Sequence, residues 1–180
     1  MTKEQIQNFS LAHAEPAWLA DLRQAAFDQI DRLELPTIER VKFHRWNLGD
    51  GSLVENEAPE MVPDFTALDD NPKLVQVGSH TVLEQLPVDL VEKGVIFTDL
   101  YSALELIPDV IEKHFGTAIK FDEDKLSAYN VAYFNATAVL YIPDSVIVNQ
   151  PVEGLYYQDA TSSVPFNKRV LIIAGKNSQV

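Results

Sequence analysis

The chain has 180 residues, no cysteine, and 27 acidic against 14 basic side chains, for a formal net charge of -13. That length suits one domain, or a domain with an appendage, burying about 70% of its unfolded surface. The charge disfavours phosphate backbones and anionic lipid as partners, and the lack of thiols excludes disulfides, a thiol nucleophile, and cysteine-held zinc or iron–sulfur sites within these residues.

The opening Met1-Thr2-Lys3-Glu4-Gln5-Ile6 has no apolar stretch behind a basic patch, and no window reaches the length of a membrane span. The expected setting is therefore the cytoplasm, without membrane or nucleic-acid contact. Over residues 16–33, Leu19, Leu22, Ala26, Ile30 and Leu33 recur at intervals of three and four, with Asp21, Arg23, Asp28, Asp31 and Arg32 between them. This predicts an amphipathic helix with Pro16 in its first turn and Leu35-Pro36 beyond its end. Residues 46–72, with Gly49-Asp50-Gly51, Pro59, Pro63 and Asp69-Asp70-Asn71-Pro72, read as an irregular acidic connector.

Leu74-Val75-Gln76-Val77, Gly78-Ser79 and Thr81-Val82-Leu83 predict a β-hairpin, and Val95-Ile96-Phe97 a short strand. Leu100, Ala103, Leu104 and Ile107 form a helical stripe that Val110, Ile111 and Phe115 continue past Pro108, with Gly116 as the stop. A last helix is expected over 122–134, capped by Asp122 and burying Leu126, Tyr129, Ala132 and Tyr133.

Residues 1–130 hold 24 acidic and 11 basic groups, and residues 131–180 hold 3 of each, so the net charge resides in the first region. A boundary is drawn at 135, giving an α-rich domain over 1–135 and a strand-rich piece over 136–180. Val139-Leu140-Tyr141-Ile142-Pro143 and Val170-Leu171-Ile172-Ile173-Ala174 are similar runs displaced by 31 residues, with Val146-Ile147-Val148 and Leu155-Tyr156-Tyr157 between them. Such closely spaced strands fit either a meander or the edges of a parallel β-helix. The fold class read from the residues is α+β, with a small hairpin and either a meander or the first coils of a β-stack. A coil stack needs about three repeats and a cap, so the chain is expected to be truncated at Val180.

Chemistry is sparse. His13, His44, His80 and His114 lie on different elements without ligand spacing. Gly49-Asp50-Gly51 is not followed by the lysine and helix of a phosphate loop, and no nucleophile elbow occurs. Asp144, Glu153 and Asp159 sit in turn-like contexts and form no recognisable glycosidase pair. Glu112 and Asp122-Glu123-Asp124 fit helix starts and exposed faces. Trp18 and Trp46 fit packing between a helix and the hairpin, or partner anchoring. No catalytic, cofactor-binding or metal-ligating residue is assigned, and the expectation is a protein that is not an enzyme.

Several segments resemble the SufD branch of the SufB/SufD family of iron–sulfur cluster assembly proteins. They are Glu15-Pro16-Ala17-Trp18-Leu19 with Leu22-Arg23, Leu33-Glu34-Leu35-Pro36, Arg45-Trp46-Asn47 and Lys93-Gly94-Val95-Ile96-Phe97-Thr98-Asp99-Leu100. The run Ala128-Tyr129-Asn130-Val131-Ala132-Tyr133-Phe134-Asn135 and the stretch from Val139 to Val152 continue the set in order, over about residues 15–152. The form around Arg45-Trp46-Asn47 is similar to members from low-GC Gram-positive bacteria. Ala136 and Thr137 stand where glycines are expected.

The resemblance implies an α-rich N-terminal domain leading into a right-handed parallel β-helix core, in a protein more than twice this length. It implies a non-catalytic scaffold subunit working with a SufB-like paralogue and a SufC-like ATPase. In that scheme the ATPase hydrolyses ATP, the paired subunits move in response, and iron or a nascent cluster is handled at their interface. The family's cluster-handling and ATPase-binding residues lie later in its pattern, so no cofactor is assigned to this chain. Two rival readings are a β-helix enzyme acting on polysaccharide and a self-associating module, a homodimer included, that pairs through an open coil edge.

Overall fold

The computed structural model describes residues 2–45, 53, 59, 69–158 and 167–180. Most of the predicted connector over 46–72, including Trp46 and Gly49-Asp50-Gly51, lies outside the described residues, as does Asp159. The fold is mixed α+β and divides into two compact units, Met1–Val54 with Asp109–Asn135, and Glu55–Pro108 with Ala136–Val180.

The first unit is helical. Helix α1 (Lys3–Ala12) opens on a capping box in which Thr2 and Gln5 satisfy each other's backbone amides. Helix α2 (Ala17–Gln29) follows Pro16, which occupies the cap position just outside the helix instead of its first turn. The stripe predicted to Leu33 outlasts the helix, which ends at Gln29. A 3-10 turn occupies Phe43–Arg45.

Helix α3 (Val88–Glu92), helix α4 (Leu100–Leu106) and helix α5 (Pro108–His114) come next along the chain; α3 and α4 belong to the second unit. Pro108 breaks the stripe between α4 and α5, since it cannot donate a helical hydrogen bond. Gly116 follows α5 at φ +74°, a left-handed conformation that suits glycine.

Helix α6 (Lys125–Tyr133) completes the first unit. Its cap is Asp124, whose carboxylate accepts from Ser127 N at 2.9 Å, not the expected Asp122. The register shifts accordingly: Ala128, Val131, Ala132 and Tyr133 are buried, while Leu126 and Tyr129 are half-buried. Ile6, Ala26 and Ile30 join Ala128, Val131 and Tyr133 in the core. Trp18 packs at 5.9 Å from Phe115, which lies beyond the end of α5.

The second unit contains two three-stranded sheets. In one, β1 (Lys73–Val77) pairs antiparallel with β2 (His80–Gln85) through the expected hairpin, and its other edge takes β5 (Glu153–Tyr157) in parallel. In the other, β3 (Ile96–Asp99) pairs antiparallel with β4 (Ala136–Ile142), and β4 takes β6 (Lys168–Ala174) in parallel. The β4–β6 pairing is thus not a meander, and its offset is 32 residues, Ala136 beside Lys168 and Ile142 beside Ala174. The run similarity displaced by 31 is one residue out of register. Val139 therefore lies beside Leu171, which changes the side chains that share a face.

The same 32-residue offset continues beyond the strands, where Ile147 bridges Gln179 in parallel and Val148 N donates to Gln179 O at 2.9 Å. Val146-Ile147-Val148 forms no named strand. Gly175 N donates to Ile142 O at 2.8 Å, and a Cβ at Gly175 would meet the backbone of Pro143 and Asp144, so this close approach requires glycine. Leu74, Leu90, Val95, Phe97, Leu140 and Ile142 are among the core residues of this unit.

Candidate functional site

The helical unit is organised around a buried charge. Arg23, read from the helical pattern as polar-face, is fully buried on α2, and the side chain of Glu15 is equally inaccessible. Arg23 Nε donates to both Glu15 oxygens at 3.0 and 2.9 Å, and Nη2 donates to Oε1 at 2.7 Å. Nη1 donates to Phe134 O at 2.9 Å and to Ala132 O at 3.4 Å, and the guanidinium lies 3.5 Å from the Phe134 ring centroid. Ser10 Oγ donates to Glu15 Oε2 at 2.8 Å. A planar fork can satisfy a carboxylate, two carbonyls and an aromatic face at once, which an ammonium cannot do. The pair joins the first two helical segments to the end of α6.

In the strand unit a second buried cation stands at one end of a sheet. Lys73 is 1% exposed, and Gln85 and Glu153 are its register partners on either side. Its Nζ donates to the Asp69 carboxylate, to Asp69 O at 2.8 Å and to Asn71 O at 3.3 Å, and Glu153 Oε2 lies at 3.7 Å. The hydrogen bond from Lys73 holds the Asp69 carboxyl below its ordinary range, with the Asn71 amide adding to the effect.

At the start of β6, Lys168 Nζ lies 4.0 Å from the Tyr156 ring centroid. Burial lowers its pKa to about 7, opposed by the nearby Asp99 carboxylate. Burial also raises the Tyr156 phenol.

The histidines lie on different elements. His13 caps α1, its Nδ1 2.9 Å from Phe9 O, while His80 starts β2 and His114 ends α5. His44 sits in the 3-10 turn, and its side chain is outside the described residues. Among the described residues no group of three or more His, Cys, Asp or Glu could hold a metal ion. Asp144 has the turn role expected of it, accepting from Lys176 N at 2.7 Å. Glu153 does not: it begins β5 and pairs with Lys73. Sequence reasoning missed Arg23 and Lys73 because periodicity assigns cations to solvent. The nearest signals were Glu15 eight residues before Arg23 and the acids flanking Lys73.

Comparison with known proteins gives these sites their context. Residues 68–153 match the SufBD protein N-terminal region. SufD of Bacillus subtilis, an iron–sulfur cluster assembly protein, is 35% identical over 190 residues, covering 99% of this chain and 43% of that protein. An iron–sulfur cluster assembly SufBD family protein of Mycobacterium tuberculosis is 26% identical over 194 residues, covering 97% of the chain and 23% of the protein. One from Arabidopsis thaliana is 23% identical over 209 residues, covering 100% of the chain and 44% of the protein.

These matches make the chain SufD-like, with the SufBD N-terminal region over residues 68–153. It spans less than half the length of these relatives. Glu15 and Arg23, which carried part of the resemblance, are the buried pair of the helical unit. No helix among the described residues is long and apolar enough to cross a membrane.

Proposed function

We propose that this chain is the N-terminal part of a non-catalytic scaffold subunit for iron–sulfur cluster assembly, acting in the cytoplasm with a SufB-like paralogue and a SufC-like ATPase. The observation that carries the reading is the 35% identity to Bacillus subtilis SufD across 99% of the chain. The buried cations fit a structural part: both are committed to holding segments together, Arg23 to Glu15 and two carbonyls, Lys73 to Asp69 and Asn71. In this reading residues 136–180 begin a right-handed parallel β-helix, supported by the 32-residue offset that persists from Ala136 beside Lys168 to Ile147 beside Gln179. Iron and ATP are then handled by the wider complex.

The test is coexpression of the tagged natural full-length protein with a SufB-like and a SufC-like protein from the same genome. Stoichiometric recovery of both is expected. Recovery of neither, with all three soluble, overturns the proposal.

A further inference from the structure

Within the strand unit, two carboxylates from distant parts of the chain share the same two donors. Asn71 Nδ2 donates to Asp69 Oδ2 at 2.8 Å and reaches Glu153 Oε1 at 3.5 Å, and the Lys73 ammonium contacts both acids. Gln85 Nε2 donates to Asp69 O and Asn71 O, each at 2.9 Å, and Glu153 N donates to Pro72 O at 2.9 Å. All three strands of this sheet therefore fasten onto residues 69–72 at the row Gln85, Lys73, Glu153. Little apolar burial reinforces the outer parts. Asp69 and Asp70 are exposed, and among the described residues β5 pairs with β1 alone and leaves Tyr156 and Tyr157 38% and 41% exposed.

We propose that Lys73 is a charge latch making residues 69–72 and β5 a single opening unit: its ammonium holds together two carboxylates that would otherwise drive the strap and the strand apart. The physical ground is the sign of the charges. With the cation in place each acid has a partner. Without it Asp69 and Glu153 face each other as like charges beside the shared Asn71 amide, and repulsion acts between the strap and the edge strand. Opening is local because residues 69–72 and 153–157 contribute none of the buried core of the unit, which includes Leu74, Leu140 and Ile142.

The experiment is native-state amide hydrogen exchange on the chain at neutral pH, read residue by residue. Asp69→Asn alters an exposed side chain and is expected to accelerate exchange at 153–157 about three- to tenfold, although those residues are distant in sequence. Lys73→Met is expected to accelerate exchange at the Asn71 amide, which donates to Asp69, and at 153–157 about a hundredfold while the β3–β4 amides stay protected. The triple variant Lys73→Met, Asp69→Asn, Glu153→Gln is expected to recover most of that loss, because no like charges remain to repel. The latch is overturned if Asp69→Asn leaves 153–157 unchanged. It is also overturned if Lys73→Met lowers protection equally in β3–β4, or if the triple variant opens as readily as Lys73→Met alone.

Discussion

Replacing Arg23 by methionine removes the fork that satisfies Glu15 and two main-chain carbonyls while keeping most of the apolar volume. Both side chains of the pair are fully inaccessible, so the variant leaves a buried carboxylate that has lost its guanidinium and keeps the Ser10 hydroxyl as a donor. Breaking one partner of such a pair costs about 3–5 kcal/mol, a large share of the roughly 5–15 kcal/mol that holds a domain folded. Stacking on Phe134 at 3.5 Å adds about 1–2 kcal/mol in a desolvated setting. Arg23→Lys keeps the charge but cannot reach the carboxylate and Phe134 O in the same geometry, and is expected to fall between wild type and methionine. The double variant Arg23→Met, Glu15→Met removes both charges and should cost less than Arg23→Met alone. Urea unfolding followed by tryptophan fluorescence, which includes Trp18 of the same unit, reads these differences as shifts in midpoint at constant slope. An Arg23→Met loss below about 1 kcal/mol, or a double variant worse than the single one, would refute the reasoning.

Other expectations concern pH and backbone space. The Asp69 carboxyl is depressed from 3.8 by Lys73, so its contribution is present above pH 3.8 and is lost as the pH falls through the lower folded value; Asp69→Asn should flatten acid unfolding in that range. Lys168 is lowered to about 7 from 10.5, so the unfolded chain binds the extra proton between those values and stability should rise with pH across that window. Lysine side-chain NMR gives the titration directly, and Lys168→Met should abolish the slope. Gly175→Ala should cost about 1–3 kcal/mol, because its Cβ meets the main chain of Pro143 and Asp144, which cannot swing away, as well as the Asp144 carboxylate; thermal unfolding measures it.

Local features were the legible ones. The hairpin at Gly78 and the stop at Gly116 follow from single residues whose backbone preferences leave few choices, whereas the stripe was carried past Pro108, where the chain starts a new helix. Helix α1 was also within reach, since Thr2 and Gln5 spell a capping box, but its apolar pattern is weak. Asp122 and Asp124 are chemically equal as caps, and only packing of Ala128 and Val131 selects the second. The parallel partner of β1 could not be read, because Lys73 and Glu153 lie 80 residues apart, whereas that of β4 was one of two options open in the similar runs, one residue out of register. The two buried cations were hidden for the same reason: Arg23 is compatible with the interior only because Phe134 O and Ala132 O arrive from the far end of the helical unit.

The parallel seam between β1 and β5 also bears on how the protein is made. During synthesis β1 leaves the ribosome roughly 80 residues before Glu153, the residue that completes its outer edge. At bacterial-to-eukaryotic elongation rates of about 5–20 residues per second, that interval lasts on the order of 4–16 seconds. Throughout it Leu74 and Val75, both wholly interior in the finished protein, have only the hairpin partner β2 along their strand. The nascent chain therefore presents an apolar strand with one bare side for seconds, and chaperone dependence should centre on residues 73–77.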